Sequence, residues 1–345
     1  MTTYNLAAGN NTFTASTTAA TNVITGSTGA DTFNFGLNAT NAAQVFTNAD
    51  TVLGGAGSDT INFTGNLDFN VTLDPAAGAL AFTGIENVVF ANTSTPVTFI
   101  TDDATLADGE TMTVDGSSGS TAAAIMTFTS GEAAAGTGAV NFIGGSAADV
   151  LTGGVGADTI TGNAGNDVIT GGAGADNIDG GDGLDAITLG AGADIINFGQ
   201  VEASLDTVSD FVHGLGGDII DVGSAGNTAL GALVAQVADG TTAAVAHADN
   251  TILFLSAATR AAYDTQAEIT AAFGAGAEFA ACLAADENTL FISAADTGDT
   301  YVWKIVESAD ANVTLLAADE VLLIGILTGI SAAEAALMVA GNFQA

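Results

Sequence analysis

The stretch that decides the fold is residues 144–197, which read GGSAADVLT, GGVGADTIT, GNAGNDVIT, GGAGADNID, GGDGLDAIT and LGAGADIIN without a gap. The sixth position of each nonapeptide is Asp, the eighth is aliphatic, and the fourth is Gly in five of the six. The aspartates are Asp149, Asp158, Asp167, Asp176, Asp185 and Asp194, and the aliphatic residues are Leu151, Ile160, Ile169, Ile178, Ile187 and Ile196. A fixed period of this kind indicates a repeat architecture.

The period predicts the local structure of each repeat. A turn of about six residues, in which glycines allow positive φ, is followed by a strand of about three residues. The strand turns its aliphatic side chain inward, and two nonapeptides make one coil of a parallel solenoid. Because coils stack at ~4.8 Å, the Asp of one turn lies over the Asp eighteen residues further on.

This stacking creates a charge problem that the chain cannot solve alone. It has 39 acidic residues against Lys304 and Arg260, a net charge of -37. Bare carboxylates at the coil spacing repel by roughly 3 kcal/mol per pair at an effective dielectric constant of about 20. The counter-charge must therefore come from solution, and Ca²⁺ prefers the carboxylate and turn-carbonyl oxygens that these repeats offer.

Composition also excludes several classes of partner. A polyanionic chain does not bind nucleic acid or an anionic membrane surface. The single Cys282 excludes an intramolecular disulfide framework. The N-terminus lacks the basic and apolar regions of a cleaved signal peptide, and the longest apolar run, VLLIGIL at 321–327, is too short to span a bilayer.

The nonapeptide GGxGxDxUx, with U aliphatic, is the RTX repeat, and the chain resembles RTX β-roll proteins. In that family calcium lies between turn n and turn n+2. The resemblance implies the pairs Asp149/Asp167, Asp158/Asp176, Asp167/Asp185 and Asp176/Asp194. It also implies ligand carbonyls on the turn glycines Gly154, Gly156, Gly165, Gly172, Gly174 and Gly183. Ala147 and Leu189 replace glycines in the end repeats, where we expect weaker sites.

The N-terminal third contains scattered copies of the same pattern. GGAGSDTIN at 54–62 is a full match, GSTGADTFN at 26–34 is a near match, and NADTVL around Asp50 is a degenerate one. Asp31, Asp50 and Asp59 are therefore candidate metal ligands, although these copies could equally only shape turns. Residues 66–141 contain alternating strand patterns between Gly, Asn and Asp turns, which predicts an irregular Thr-rich β-solenoid.

The segment after the repeats, DTVSDFVHGLGGDIIDVG at 206–223, resembles the segment that closes RTX β-rolls. Asp206, Asp210, Asp218 and Asp221 are candidates for one more calcium site, and turn or helix capping is an equally good interpretation. Beyond it, capping boxes at Thr265/Glu268 and Ser331/Glu334 predict short helices, and NTLFISA, DTYVWKIVE and DEVLLIGI predict strands. This part resembles the C-terminal cap and uncleaved export signal of type I secreted RTX proteins.

The sequence contains no positive evidence of an enzyme. There is no HExxH or GxSxG motif, and His213 and His247 lack metal-ligand spacing with each other or with Cys282. A paired-carboxylate glycosidase usually needs aromatic sugar platforms, and the chain has one Trp and three Tyr.

We therefore predict a mostly all-β protein with an irregular solenoid at 1–141, a calcium β-roll at 142–223 and a mixed α/β cap at 224–345. The family resemblance implies an extracellular or cell-surface location, export by type I machinery, and a structural protein that self-assembles like S-layer or matrix RTX proteins. The alternative is a monomeric calcium-dependent adhesin or carbohydrate-binding module, with cell-surface polysaccharide as partner.

Overall fold

The computed structural model describes most of the repeat region and the strands on either side of it. The described residues are 2–14, 22–36, 51–64, 72–73, 81–91, 96–101, 109–118, 124–131, 138–198, 205–214, 216–221, 234–238, 252–256, 267, 288–294, 298–306, 321–330 and 343–344. The chain divides into two compact units, Met1–Asp182 with Gly190–Gly192, and Gly183–Leu189 with Ala193–Ala345.

The first unit is built of short strands that pair in parallel. They are β1 (Thr2–Asn5), β2 (Thr12–Thr14), β3 (Asn22–Thr25), β4 (Thr32–Gly36), β5 (Thr51–Leu53), β6 (Thr60–Thr64), β7 (Thr72–Leu73), β8 (Ala81–Thr83), β9 (Asn87–Ala91), β10 (Val97–Thr101), β11 (Thr111–Asp115), β12 (Met126–Ser130), β13 (Ala139–Ile143), β14 (Val150–Gly154), β15 (Thr159–Thr161), β16 (Val168–Ala173) and β17 (Asn177–Asp179).

The strands of the first unit are ordered within each sheet as in a solenoid, in which neighbouring strands come from successive coils. One sheet carries β2-β4-β6-β9-β11-β13-β15-β17, a second carries β7-β10-β12-β14-β16, and a third carries β1-β3-β5-β8. Successive strands along the chain alternate between sheets, so that each strand pairs with one from the neighbouring coil. This is the parallel solenoid that the nine-residue period predicts.

The core of the first unit is thin, because only alternate side chains of each strand point into it. In β10 and β12 the burial pattern alternates strictly between buried and half-buried residues. Stacked aromatic rings fill the interior of the irregular coils. The ring centroids of Phe63 and Phe90 are 5.2 Å apart, and those of Phe90 and Phe128 are 5.7 Å apart. In the nonapeptide coils the aliphatic eighth positions replace these rings, and Leu151 and Ile160 are fully buried.

The second unit mixes parallel and antiparallel pairing. Its strands are β18 (Ala186–Ala191, of which the last two residues belong to the first unit), β19 (Ile195–Asn197), β20 (Asp206–Ser209), β21 (Ile219–Asp221), β22 (Val234–Ala238), β23 (Ile252–Ser256), β24 (Asn288–Ala294), β25 (Thr300–Val306), β26 (Val321–Thr328) and β27 (Phe343–Gln344). The pairs β24–β25 and β25–β26 are antiparallel, whereas β18–β20, β19–β21 and β20–β26 are parallel.

The predicted all-β class and the parallel coils are confirmed. The three strands predicted near the C-terminus correspond to β24, β25 and β26. The two predicted capping boxes, at Thr265/Glu268 and Ser331/Glu334, lie outside the described residues, so the α-helical part of the cap remains a prediction. The three predicted domain boundaries also remain predictions.

Candidate metal centre

The repeat aspartates form two columns in the first unit, each directly before a strand. Asp149 and Asp167 precede β14 and β16, and Asp158 and Asp176 precede β15 and β17. Parallel pairing in register stacks residues eighteen apart, as with Val150 on Val168 and Thr159 on Asn177. All four carboxylates are almost completely buried.

Main-chain hydrogen bonds link each column along the stack. The N–H of Asp149 donates to Oδ1 of Asp167 at 2.7 Å, and the N–H of Asp158 donates to Oδ1 of Asp176 at 2.9 Å. Where the array begins, apolar residues supply the donor: Met126 N–H lies 2.7 Å from Asp149 Oδ1, and Val140 N–H lies 2.8 Å from Asp158 Oδ1. Asp149 therefore stacks on Asp167, and Asp158 stacks on Asp176, as the nine-residue period predicts. Calcium binding between the members of each pair remains a prediction.

The second carboxylate oxygen of Asp158 points at the turn. It is buried and accepts no hydrogen bond from any described residue. A Cβ added to Gly153 would overlap both this oxygen and the carbonyl oxygen of Gly171 in the next coil. A carboxylate oxygen and a carbonyl oxygen from successive coils thus converge beside a glycine. Asp149 differs, because its Oδ2 accepts the N–H of Gly145 at 2.6 Å.

The turn glycines let the coils approach closely. Gly172 has φ of 115°, and a Cβ there would overlap the carbonyl oxygen of Gly154 one coil away. The candidate ligand glycines with positive φ are Gly154, Gly165, Gly172, Gly174 and Gly183. A Cβ at Gly156 would overlap the carbonyl oxygen of Gly138. The role of these six glycines as ligands remains a prediction.

Burial makes it unfavourable for the carboxylates of the columns to carry negative charge. Burial raises the pKa of Asp158 to about 6, against a lowering by its hydrogen bond from Val140. Burial likewise raises the pKa of Asp176 to about 6, with the Asp158 charge adding to the rise. The first unit contains no Lys, Arg or His. No basic side chain of this unit can therefore neutralise its buried carboxylates.

The chemistry of the columns fits a hard divalent cation. Their donors are carboxylate and carbonyl oxygens, which Ca²⁺ prefers over the nitrogen and sulfur ligands typical of zinc. Within the described ranges, no group of three acidic, His or Cys side chains converges on one point. Main-chain carbonyls would therefore have to complete any coordination shell, and the turn glycines place such carbonyls next to Asp158 Oδ2. A bound Ca²⁺ would supply the positive charge that the first unit lacks.

In the second unit, buried aspartates of the closing segment continue the same pattern. The N–H of Asp185 donates to Oδ1 of Asp206 at 3.2 Å, and the N–H of Asp194 donates to Oδ1 of Asp218 at 3.0 Å. Asp206 and Asp218 lie after the nonapeptides in the sequence, yet both are buried like the repeat aspartates. Asp167 with Asp185, and Asp176 with Asp194, are residues of different units, and these two pairs remain predictions.

The four aspartates predicted to share one closing site lie in different settings. Asp218 also accepts the N–H of Val212 at 2.6 Å. Burial raises the pKa of Asp218, and the charge of Asp210 adds to the rise. Asp210 is exposed, has φ of 63°, and accepts the N–H of Leu189. Asp221 lies half-buried in β21. Calcium binding by these residues remains a prediction.

A further column precedes the N-terminal strands β2, β4, β6 and β9. The N–H of Asn11 donates to Asp31 Oδ1 at 2.8 Å, and the N–H of Asp31 donates to Asp59 Oδ1 at 2.7 Å. Burial opposes ionisation of Asp31, but hydrogen bonds from Asn11 and Ser27 outweigh it and lower its pKa. Burial raises the pKa of Asp59. The candidate Asp50 lies outside the described residues.

Sequence reasoning missed two residues of these turns. Glu86 occupies the column position after Asp59, and its Oε2 accepts the N–H of Asp59 at 2.6 Å. Its signal was present in GIENVVF, where an acid directly precedes a strand pattern. Asn163 stands where neighbouring repeats have Gly, with φ of 72°, and donates to the carbonyl of Gly144 at 2.7 Å. Asn is one of the few non-glycine residues that adopts this conformation readily.

Comparison with known proteins identifies the repeat. The family of the RTX calcium-binding nonapeptide repeat matches in four copies, at residues 47–65, 143–178 and 170–200. The matched residues include the tandem array and the copy around Asp59. No curated protein matches the chain. Among the described residues, no helix has the length and apolar character needed to cross a membrane.

Proposed function

We propose that this chain, which contains RTX calcium-binding nonapeptide repeats in four matched copies, is a secreted structural protein that folds with calcium outside the cell. We further propose that it assembles with copies of itself into an extracellular layer or filament. In this proposal calcium is the ligand of the carboxylate columns, and the folded surface itself is the functional part.

The observation that carries the calcium dependence is the buried carboxylate stack in a unit without any basic residue. Removing charged carboxylates from water costs free energy unless an opposite charge or hydrogen bonds compensate. Asp158 has one compensating hydrogen bond on Oδ1 and none from the described residues on Oδ2. A cation that binds only the folded coils would therefore stabilise them through mass action.

The same energetics support folding after export. Without the cation, a chain of net charge -37 repels itself and favours an expanded state. Such a state suits passage through an export channel, and folding would follow where calcium is abundant. RTX repeats are typical of secreted proteins, which supports the extracellular location.

An exposed apolar strip supports self-association. Val150 of β14 and Val168 of β16 are neighbours in register on the outer sheet face, and they are 39% and 49% exposed. Outward positions of a solvated sheet usually carry polar residues, and Thr127 holds that position on the adjacent strand β12. Apolar side chains on such a face are candidates for contact with a second copy.

Sedimentation velocity tests the proposal. The purified chain is compared in chelator, in millimolar calcium, and in magnesium at equal ionic strength, which controls for charge screening. We expect a slow, expanded species in chelator and large particles only in calcium. A compact calcium-dependent monomer would contradict assembly and support a calcium-dependent adhesin or carbohydrate-binding module. An unchanged sedimentation coefficient would contradict calcium dependence itself.

A second arm separates assembly from folding. The double substitution Val150→Thr/Val168→Thr keeps β-branched residues on the strands while making the strip polar. We expect calcium to compact this variant fully but to produce fewer large particles. Large particles at the wild-type level would exclude this strip as the contact surface.

A further inference from the structure

The first coil forms an open edge of two sheets. Within the described residues, β1 pairs only with β3 and β2 only with β4, so each is the terminal strand of its sheet. In a parallel pair, alternate residues turn their main-chain groups to the partner strand. Leu6 N–H donates to the Thr25 carbonyl at 2.9 Å, so the main-chain groups of Asn5, which precedes it, point to the open side.

The same alternation applies to β2. The Asn11 carbonyl accepts the N–H of Thr32 at 2.8 Å, so the N–H and carbonyl of Thr12 point away from β4. The side chains of Asn5 and Thr12 are both exposed. The first coil thus presents main-chain donors and acceptors with which a further strand could pair.

The apolar interior is also open at this end. Tyr4 occupies the inward position of β1, because it pairs with Ile24, and Ile24 pairs with Val52. Ile24 and Val52 are fully buried, whereas Tyr4 is half-buried. The aromatic side chain of β1 therefore keeps part of its surface in contact with solvent, and a second coil end could cover it.

The end that carries this edge has no charged side chains. Residues 1–30 contain none, and all 39 acidic residues lie between 31 and 345. Even the column position is neutral, because Asn11 stands where the next coil has Asp31, and its main-chain and side-chain nitrogens both donate to Asp31 Oδ1 at 2.8 Å. Two copies of a chain of net charge -37 repel each other where their acidic surfaces meet. At the first coil they can approach without placing acid against acid.

The strands of this coil lack the features that usually protect an edge. Natural edge strands are commonly shielded by charges, Pro or β-bulges. TTYN of β1 and TFT of β2 contain no charge and no Pro, and both strands pair with their neighbours in continuous register. Such an edge favours pairing with another strand, and the charge of the chain favours a partner end that is itself neutral.

We propose that two copies of the chain pair end to end through their first coils, so that β1 and β2 of each copy continue the sheets of the other. Because both copies present the same neutral end, the contact is isologous and closes after two copies. This pairing refines the self-assembly of the proposed function and rests on it for the choice of a second copy as partner. In an extended assembly a different surface, such as the strip of Val150 and Val168, would join the pairs.

Sedimentation equilibrium measures the pairing. The variant Val150→Thr/Val168→Thr in calcium is the background, because its polar strip limits larger particles. We expect this background to show a monomer–dimer equilibrium that depends on protein concentration. Adding Asn5→Asp/Thr12→Glu brings like charges together across the contact, and we expect the dissociation constant to rise on the order of a hundredfold.

Two further arms locate the contact. The control Thr64→Glu/Thr111→Glu adds two charges at exposed positions of strands inside their sheet and should leave the dissociation constant unchanged. Asn5→Lys/Thr12→Lys should also repel itself, but an equimolar mixture with the acidic edge variant should restore the dimer. Calcium-dependent compaction of each variant verifies that it folds.

Hydrogen exchange needs no edge substitution. In the background, we expect the amides of residues 2–5 and 12–14 to gain protection as the protein concentration rises through the dissociation constant. A monomer at every concentration, or a dimer that is insensitive to the acidic edge variant, would overturn end pairing but leave calcium-dependent folding and assembly through the strip intact. A background that dimerises, with a wild type that forms no large particles in calcium, would support end pairing and contradict the layer or filament.

Discussion

At the scale of single residues, Asp158 shows most clearly why the fold needs a cation from solution. Its Oδ1 is held by Val140 N–H, while burial of the carboxylate raises its pKa to about 6. The charge that destabilises the calcium-free chain is therefore the same charge that would bind the cation. Opposite effects of one substitution with and without calcium follow from this.

We expect Asp158→Asn to stabilise the calcium-free protein and to reduce the stabilisation that calcium provides. Asn keeps an oxygen that accepts the Val140 N–H, and it removes the buried charge. We expect this removal to raise the free energy of unfolding in chelator by about 1–3 kcal/mol. Urea unfolding followed by circular dichroism, in chelator and in calcium, measures both effects. The control Asp182→Asn removes a charge from an exposed position of the same unit. A loss of stability in chelator would contradict the argument.

Gly172 tests the close approach of the turns. Its φ of 115° and its contact with the Gly154 carbonyl both oppose a Cβ, so we expect Gly172→Ala to destabilise the first unit. Gly9 is the matched control, because it has φ of 111° but open space around a Cβ. Gly9→Ala should cost about 1 kcal/mol from backbone strain alone, and Gly172→Ala clearly more. Equal losses in urea unfolding would show that the coil contact is unimportant.

At the scale of elements, the strands of the roll are stabilised by one inward side chain each. Ile160 of β15 is fully buried, so Ile160→Ala should lower the free energy of unfolding by about 2–5 kcal/mol. Val168 of β16 points outward and is 49% exposed, so Val168→Ala should change it by less than about 1 kcal/mol. Calcium-saturated urea unfolding measures both. Similar losses for the two would contradict the assigned register.

The sequence predicts these elements well where the period is constant. In residues 144–182 the spacing of nine sets which residues stack, and Asp149, Asp158 and the buried aliphatic residues lie where the arithmetic places them. In the N-terminal coils the steps vary from 20 to 28 residues, so the stacking of Asp31, Asp59 and Glu86 depends on strand pairing that no local pattern reveals.

At the scale of the whole molecule, the charge balance links folding to both protons and calcium. The first unit itself supplies no positive side chain, since it contains no Lys, Arg or His. Protons and Ca²⁺ are alternative ways to neutralise the same oxygens. They should therefore replace each other in stabilising the coils, and they should compete for the columns when both are present.

Acidity should consequently stabilise the calcium-free protein. The folded-state pKa of Asp158 and Asp176 is about 6, above the ordinary value of 3.8, so the folded state binds more protons than the unfolded state between these values. The resulting stability is fully present below the unfolded pKa and is lost as the pH rises through about 6. In chelator, we expect the urea midpoint measured by circular dichroism to be higher at pH 5 than at pH 7.5.

Calcium binding should have the opposite pH dependence to calcium-free stability, because protons must leave the carboxylates before the ion binds. At a fixed calcium concentration near half-saturation, bound calcium measured by equilibrium dialysis should fall as the pH is lowered from 7.5 to 5. The double variant Asp158→Asn/Asp176→Asn should show a weaker response in both experiments, since it lacks two carboxylates whose pKa burial raises to about 6. A calcium-free chain that gains stability as the pH rises from 5 to 7.5 would mean that these carboxylates are not the groups that limit folding.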